Sequence, residues 1–452
     1  MKKLIALVLV CLFMLTVIPS ALATTPADNG KYGFDKDAIM SLAGKFILDY
    51  NKAFETLAMP DFEYVEKGDG TALFVEMLAY QIEYRSAFND PYVDVSLRDI
   101  VLKDLKVNGD TASAEVYGLV NFYYIDQPRD MVKGSNGYGM NYYMEFKNLD
   151  GALKIVMVDT DSNDYDYHKS LINSKMMQQR TTLRSAAKAV ADELIAKLPI
   201  TVKLWNEQAA QYDKNARTTF IDEPLDSEAL QPDPLDEFAT NAITPMAAVS
   251  FNAESARYYG WYFGDWTQND IFRRMEDGGD CTNFVSQCIW AGYGGSSGYG
   301  YGTYADREAL RVRVSQNYRQ TSTWMGRNFL STNPLASGPF MRVLELWSHA
   351  TTNTGNGPRA SGYNDGNIWS ALTETITAGD VLQFHNGSRY YHSVIVSSST
   401  SYSGVVALDY TFCAQHSGDY YYRKLRDVLE NNGGIESGKM RLMKFKSSSF
   451  SS

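Results

Sequence analysis

Cys281 lies where a glycine-bearing turn meets a stripe of apolar residues with helical spacing. Gly278, Gly279 and Asp280 precede the cysteine, and the stripe that follows consists of Phe284, Val285, Cys288 and Ile289. Free backbone N–H groups and the dipole at a helix start favour negative charge, so this position predicts a nucleophilic thiol with a lowered pKa. Asp280 is a candidate N-cap. Cys288, two turns further on, is predicted to be buried packing.

His392 is the candidate base for this thiol. Val381 to His385 is typical of a strand, Asn386 and Gly387 predict a two-residue hairpin turn, and Tyr390 to Val396 predicts the returning strand. On that strand His392, Val394 and Val396 share one face. We expect this face to meet the helix that begins with Cys281.

A third polar group should hold the imidazole in the correct tautomer. A strand is predicted from Val405 to Cys413, and His416 follows it directly. Adjacent antiparallel strands bring such residues within side-chain reach of His392. His416 is the first candidate for this role, and Asp409, on the same stretch, is the alternative.

The run from Asp280 to Gly292 resembles the signature of the bacterial putative amidase domain, a papain-like group related to the NlpC and CHAP hydrolases. Further pieces that resemble the family follow in order: Thr323–Trp324, Gly379–Phe384, His392–Val396 and Gln415–Tyr420. The resemblance covers the region 249–446 and implies a nucleophile at Cys281, a base at His392 and an orienting group at His416. The tract Gly294–Tyr304 is longer and looser than the family pattern.

Length and charge bound the remaining possibilities. A chain of 452 residues exceeds one typical core, so two or three folded units are expected. The net charge is −11, and no basic footprint of a nucleic-acid-binding protein is present. Neither a zinc-ligand spacing nor a glycine motif for a nucleotide cofactor occurs, so we expect no cofactor and no metal.

The first 23 residues have the pattern of a secretory signal peptide. Lys2 and Lys3 precede the apolar run Leu4–Val17, and Ala21 to Ala23 form a small-x-small cleavage pattern. Export of a mature chain without a transmembrane segment is therefore expected. Three cysteines would remain after cleavage, an odd number, so at least one thiol should stay unpaired. Whether Cys288 and Cys413 pair is left open.

The rest of the chain predicts an α+β protein. Region 31–168 should hold helices at Lys36–Leu57 and Thr71–Phe88, followed by an antiparallel sheet with turns at Asn108-Gly109 and Asp150-Gly151. This order resembles the cone folds of nuclear-transport-factor-like proteins. A helical connector at 169–212 and an acidic, proline-bearing linker at 213–248 should follow, and the units should move independently across the linker.

These features predict a secreted cysteine-dependent amidase or peptidase with a papain-like catalytic domain. The expected substrate is an extracellular amide such as the peptides of cell-wall peptidoglycan, with Asp280, Asp409 and Trp324 as further candidates for oxyanion or substrate contacts. Two alternatives remain: an inactive wall-binding module that uses its abundant Tyr and Trp rings, and an acyltransferase that uses the same thiol.

Overall fold

The computed structural model describes eleven stretches of the chain, and the statements below refer to these. They are 34–125, 136–215, 248–264, 270–273, 280–327, 336–364, 376–399, 401–402, 405–406, 408–434 and 438–450. The predicted signal peptide, the linker residues 216–247 and the glycines Gly278 and Gly279 lie outside them. Within these stretches, no helix has both the length and the apolar content needed to cross a bilayer.

Two helices and a four-stranded antiparallel meander form the N-terminal part. The elements are α1 (Lys36–Thr56), α2 (Ala72–Ala87), β1 (Tyr92–Asn108), β2 (Thr111–Tyr124), β3 (Asn136–Leu149) and β4 (Ala152–Thr160). Both predicted helices are confirmed to within one residue. Both hairpin turns are confirmed as well: Gly109 has a φ of 62°, and Asp150 and Gly151 have φ of 54° and 82°, the positive values that the tight turn requires.

The predicted helical connector consists of two helices rather than one. A short 3₁₀ helix (Asn163–Tyr165) leads into α3 (Asp166–Gln179), and α4 spans Leu183–Asn215. Arg180, with a φ of 51°, ends α3 in the left-handed conformation that commonly terminates helices. The apolar face of α4 packs on the core of the N-terminal part through Ala186, Ala187, Val190 and Ala191.

Short helices and a second antiparallel strand group form the C-terminal part. The helices are α5 (Ala253–Phe263), α6 (Asp280–Gly292), α7 (Tyr304–Ser315), α8 (Gly338–Met341), α9 (Val343–Thr352) and α10 (Leu425–Glu430). The strands are β5 (Arg359–Tyr363), β6 (Val381–His385), β7 (Tyr390–Ser398), β8 (Ser401–Tyr402), β9 (Val405–Val406), β10 (Phe412–Gln415), β11 (Asp419–Lys424) and β12 (Lys439–Lys446). The hairpin between β6 and β7 is confirmed, although its loop has four residues, with the Asn386 N–H donating to the Arg389 carbonyl at 3.0 Å.

A single ten-stranded sheet runs through both parts. Its order is β1-β2-β3-β11-β10-β7-β6-β12-β5, and β4 pairs with β3. All of its pairings are antiparallel, so the expected α+β class is confirmed.

The junction between the two parts is the pair β3–β11. Tyr138 pairs with Tyr420 across it, and their rings stack with centroids 4.5 Å apart. A buried ion pair, Arg85 Nη2 to Asp427 Oδ2 at 3.2 Å, crosses the same junction. Shared backbone pairing and buried charges join the parts into one packed unit, in contrast to the independent motion that the linker composition suggested.

Candidate active site

Cys281 lies in the first turn of α6, against β7. Its Sγ is 3.9 Å from the carbonyl oxygen of Tyr391, the residue that precedes His392. One residue further along the helix, the Thr282 hydroxyl is 3.0 Å from the Ser393 hydroxyl, which also accepts a hydrogen bond from Gln383 Nε2 at 3.1 Å. The start of α6 is therefore held beside the backbone segment that carries His392.

The face of β7 that meets α6 differs from the predicted one. Val394 and Val396 pack with α10, in a cluster that includes Leu425 and Val428. Ile395 instead packs in the cluster that contains the apolar stripe of α6. The expectation that the Val394 and Val396 face meets the cysteine helix was wrong, because the sheet is covered on both sides and α6 occupies the other side. The sulfur therefore contacts the backbone of the strand, at the Tyr391 carbonyl, and no hydrogen bond joins it to the His392 ring within the described stretches.

His392 is completely enclosed, and a residue of the N-terminal part contacts it. Its Nδ1 lies 3.1 Å from Nδ2 of Asn163. Its Nε2 is buried and has no hydrogen-bond partner within the described stretches. Nδ1 is thus engaged by the Asn163 amide, whereas Nε2 is unengaged in the described part of the chain.

Burial sets the protonation states of both candidate residues. Cys281 and His392 are each 1% exposed. Burial raises the pKa of the Cys281 thiol from 9.0 to about 11, and the charge of Asp280 adds to the increase, although hydrogen bonds from Ser393 and Thr282 oppose it. Burial also lowers the pKa of His392 to about 4, although the charge of Asp164 and the Gln415 side chain oppose the decrease. The predicted lowering of the thiol pKa was wrong for this arrangement, because a buried site disfavours the charged form. Near pH 7 the pair is a neutral thiol and a neutral imidazole.

His416 contacts the start of α6 rather than His392. Its Nδ1 lies 2.6 Å from Asp280 Oδ2 and its Nε2 lies 2.8 Å from the Phe263 carbonyl oxygen, and the ring stacks on Phe284. Both ring nitrogens are engaged, so His416 does not hold His392 through a direct hydrogen bond in this structure. The alternative, Asp409, has its backbone in a short 3₁₀ helix (Leu408–Tyr410), but its side chain lies outside the described part.

The other two predicted contact residues are internal. Asp280, the first residue of α6, accepts a hydrogen bond from Asn283 Nδ2 at 2.7 Å through Oδ1, while Oδ2 faces His416. Trp324 is fully buried and packs against Phe340, with ring centroids 5.0 Å apart. In this conformation the Asp280 carboxylate supports the helix start, and the Trp324 ring belongs to the core.

The remaining cysteines are structural. Cys288 is fully buried in the core beneath α6, as predicted, and Cys413 is fully buried on β10. Both are free thiols, as is Cys281. Among the residues that the structure describes, no group of three or more His, Cys, Asp or Glu side chains is arranged to hold a metal ion.

Asn163 is the contact that sequence reasoning missed. It follows β4, and Ser162 caps its short 3₁₀ helix by accepting from the Asp164 N–H. The sequence around it is a polar turn, Asp161 to Asp164, without a motif. No local signal connects such a turn to a histidine 229 residues away.

A comparison with known protein families matches a region of the chain that contains Cys281, His392 and His416. Residues 250–440 match the putative amidase domain family. The resemblance drawn from the run Asp280–Gly292 is thereby confirmed, and the match supports an amidase-type hydrolase.

Other comparisons add little. No curated protein matches the chain. The solved intermembrane space region of the chloroplast protein ARC6 is similar to 27% of this chain and to 95% of its own length, with 11% identity and a TM-score of 0.19. That similarity is too low to support an argument about fold or function.

Proposed function

We propose that the protein is a secreted cysteine-dependent amidase or peptidase in which Cys281 is the nucleophile and His392 the general base. The observation that carries the proposal is the position of the Cys281 sulfur, at the start of a helix and 3.9 Å from the backbone of the histidine strand. The match of residues 250–440 to the putative amidase domain supports amide chemistry for this pair. A papain-like arrangement within 249–446, and a cone-like accessory region within 31–168, are parts of the same proposal.

The neutral state of the pair dictates the order of proton movements. His392 takes the thiol proton as the sulfur forms its bond to the amide carbonyl carbon, so that no free thiolate has to persist in the buried site. Backbone N–H groups at the start of α6, including that of Cys281, would hold the oxyanion. The imidazolium then returns its proton to the leaving amine as the C–N bond breaks. Water attacks the resulting thioester with His392 again acting as base.

The remaining candidate residues have supporting roles in this mechanism. His416 would act through Asp280, whose carboxylate it contacts at 2.6 Å. Asp280 in turn fixes the first turn of α6 through Asn283.

The substrate class follows from the predicted export of the chain. A protein that carries the signal pattern of residues 1–23 acts outside the cytoplasm, where the cross-linked peptides of peptidoglycan are the abundant amides of a bacterium. We therefore propose an extracellular site of action, with wall peptides as substrate.

The test is digestion of defined muropeptides, with mass spectrometry of the products. Wild-type protein should release new amines or peptides, and Cys281→Ala and His392→Ala should release none. Cys288→Ser, which alters a second buried thiol on the same helix, is the matched control and should retain release. Equal release by wild type and Cys281→Ala would disprove a cysteine mechanism.

A second candidate function is an inactive wall-binding module. It is favoured by the near-complete burial of both Cys281 and His392, which leaves a bulky substrate without a visible path to the sulfur in this conformation. Wall binding without any product, by wild type and Cys281→Ala alike, would support it. Acyl transfer to an amine other than water would use the same residues and would appear as a product of increased mass.

A further inference from the structure

The N-terminal part of the chain contributes a side chain to the histidine of the candidate site. Asn163 Nδ2 lies 3.1 Å from His392 Nδ1, and Asn163 is itself largely buried. Its backbone is fixed from the C-terminal side: its N–H donates to the Ser417 carbonyl at 3.0 Å, and its carbonyl accepts from the Tyr391 hydroxyl at 3.3 Å. Hydrogen bonds at both its backbone N–H and its backbone carbonyl therefore fix Asn163 beside His392.

The segment around Asn163 is anchored by buried charge. Asp164 Oδ1 accepts from Arg423 Nη1 at 2.6 Å and from Gln415 Nε2 at 3.2 Å, and all three residues are buried. Separating a buried and hydrogen-bonded ion pair is costly, and the paired strands β3 and β11 lie next to it. These buried contacts tie the segment that carries Asn163 to the C-terminal part.

A side-chain amide suits the requirement of a histidine base. For Nε2 to accept a proton, Nδ1 has to carry the hydrogen of the neutral ring, and that N–H needs an acceptor. The two ends of an asparagine amide have nearly the same shape, so a half-turn of the Asn163 amide presents Oδ1 to Nδ1–H at the same separation. Nε2, which has no partner within the described stretches, then has a free lone pair.

We propose that Asn163 is the positioning residue for His392, so that the active site is built from both parts of the chain. The inference rests on the proposed Cys281–His392 pair. It assigns the N-terminal part a role inside the site, beyond that of an accessory unit.

The experiment measures alkylation of Cys281 by iodoacetamide as a function of pH, with the modified peptide identified by mass spectrometry. Relative to the full-length wild type, Asn163→Ala should slow alkylation near pH 7 at least about tenfold. This is smaller than the full rate enhancement that general-base assistance provides, because the variant retains His392. Asn163→Asp should restore the rate, because its carboxylate accepts the Nδ1–H. It should also move the acid limb of the profile to higher pH, because the negative charge stabilises the imidazolium.

The control variant is Asn51→Ala. Asn51 is also buried in the N-terminal part, and it donates to the Ile47 carbonyl at 2.8 Å within α1. Its substitution should lower stability without changing the pH profile of alkylation. If Asn163→Ala fails to fold, the alkylation rate of Asn163→Asp near pH 7 decides the matter, since a rate well below that of wild type would show that an acceptor for the Nδ1–H does not support the base.

Two results would overturn the inference. Unchanged alkylation in Asn163→Ala would show that the amide does not position the base, and faster alkylation would show that Asn163 shields the thiol instead. Alkylation requires no amide substrate, so the outcome is separable from the proposed function. If the alkylation profiles change as expected while no muropeptide is cut, the positioning role stands and the hydrolytic assignment fails.

Discussion

Asn163 and His392 are separated by 229 residues, yet their side-chain nitrogens lie 3.1 Å apart in the interior of the protein. The contact exists because β3 of the N-terminal part pairs with β11 of the C-terminal part and brings the turn after β4 to the end of the histidine strand. The region that matches the putative amidase domain is thus contacted by a part of the chain that the match does not cover. The following predictions test the surroundings of this contact.

Alkylation of Cys281 should continue to accelerate as the pH rises from 8 to 11. Burial raises the thiol pKa to about 11, so the thiolate fraction increases throughout this range. Asp280→Asn removes a negative charge beside the sulfur and should move the profile to lower pH. The measurement is the rate of iodoacetamide modification, and a rate that levels off below about pH 8 would show that the thiol pKa is not raised.

His416→Ala should clearly lower the free energy of unfolding. It should change the rate of His392-assisted alkylation of Cys281 much less. It removes the ring that lies 2.6 Å from the buried carboxylate of Asp280, and losing a hydrogen bond to a charged group costs roughly 1.5–3 kcal/mol. Urea unfolding measures the loss. His416→Ala with unchanged stability but with the alkylation defect of His392→Ala would instead indicate that His416 orients the base.

Glu430→Gln should remove a pH dependence of folding. Burial raises the pKa of Glu430 to about 7, above its value in the unfolded chain, so the folded protein binds the extra proton between about pH 4.5 and 7. Wild-type stability should therefore fall by roughly 3 kcal/mol as the pH rises through this window.

The comparison for this prediction is urea unfolding at pH 5 and pH 8. Glu430→Gln should lose less stability than wild type between the two, and the exposed variant Glu63→Gln should behave like wild type. Parallel losses in all three proteins would show that Glu430 does not titrate in this range.

Asp427 should couple the two parts of the chain energetically. Burial alone would raise its pKa, but Arg85, Arg426, Arg423 and Lys424 offset this and hold it at about 2. Asp427→Ala removes one of the carboxylates that balance these buried cations, so a destabilisation of roughly 3–5 kcal/mol is expected.

A double-mutant cycle of Asp427→Ala with Arg85→Met isolates the contact across the junction. It should give a clear coupling energy, whereas the same cycle on the exposed pair Lys188–Asp192 should give about 0–1 kcal/mol. Purely additive effects at Arg85 and Asp427 would mean that the junction pair contributes nothing.

Local sequence determined the individual elements. The apolar spacing of Lys36–Thr56 and Ala72–Ala87 predicted two helices, and the glycines Gly109 and Gly151 predicted two turns with positive φ. The run after Asp280 predicted the helix that carries Cys281 and the match to the putative amidase domain. These signals are encoded within a few residues by helical period, strand alternation and turn chemistry.

Tertiary structure alone decided how the elements meet. The pairing of β3 with β11, the engagement of His416 by Asp280, the covering of the Val394 face by α10 and the approach of Asn163 to His392 all depend on residues far apart in sequence. Burial is likewise a property of the assembled fold. A helix start predicts a charged thiol, but exclusion of water around Cys281 favours the neutral form, and no pattern of neighbouring residues records that exclusion.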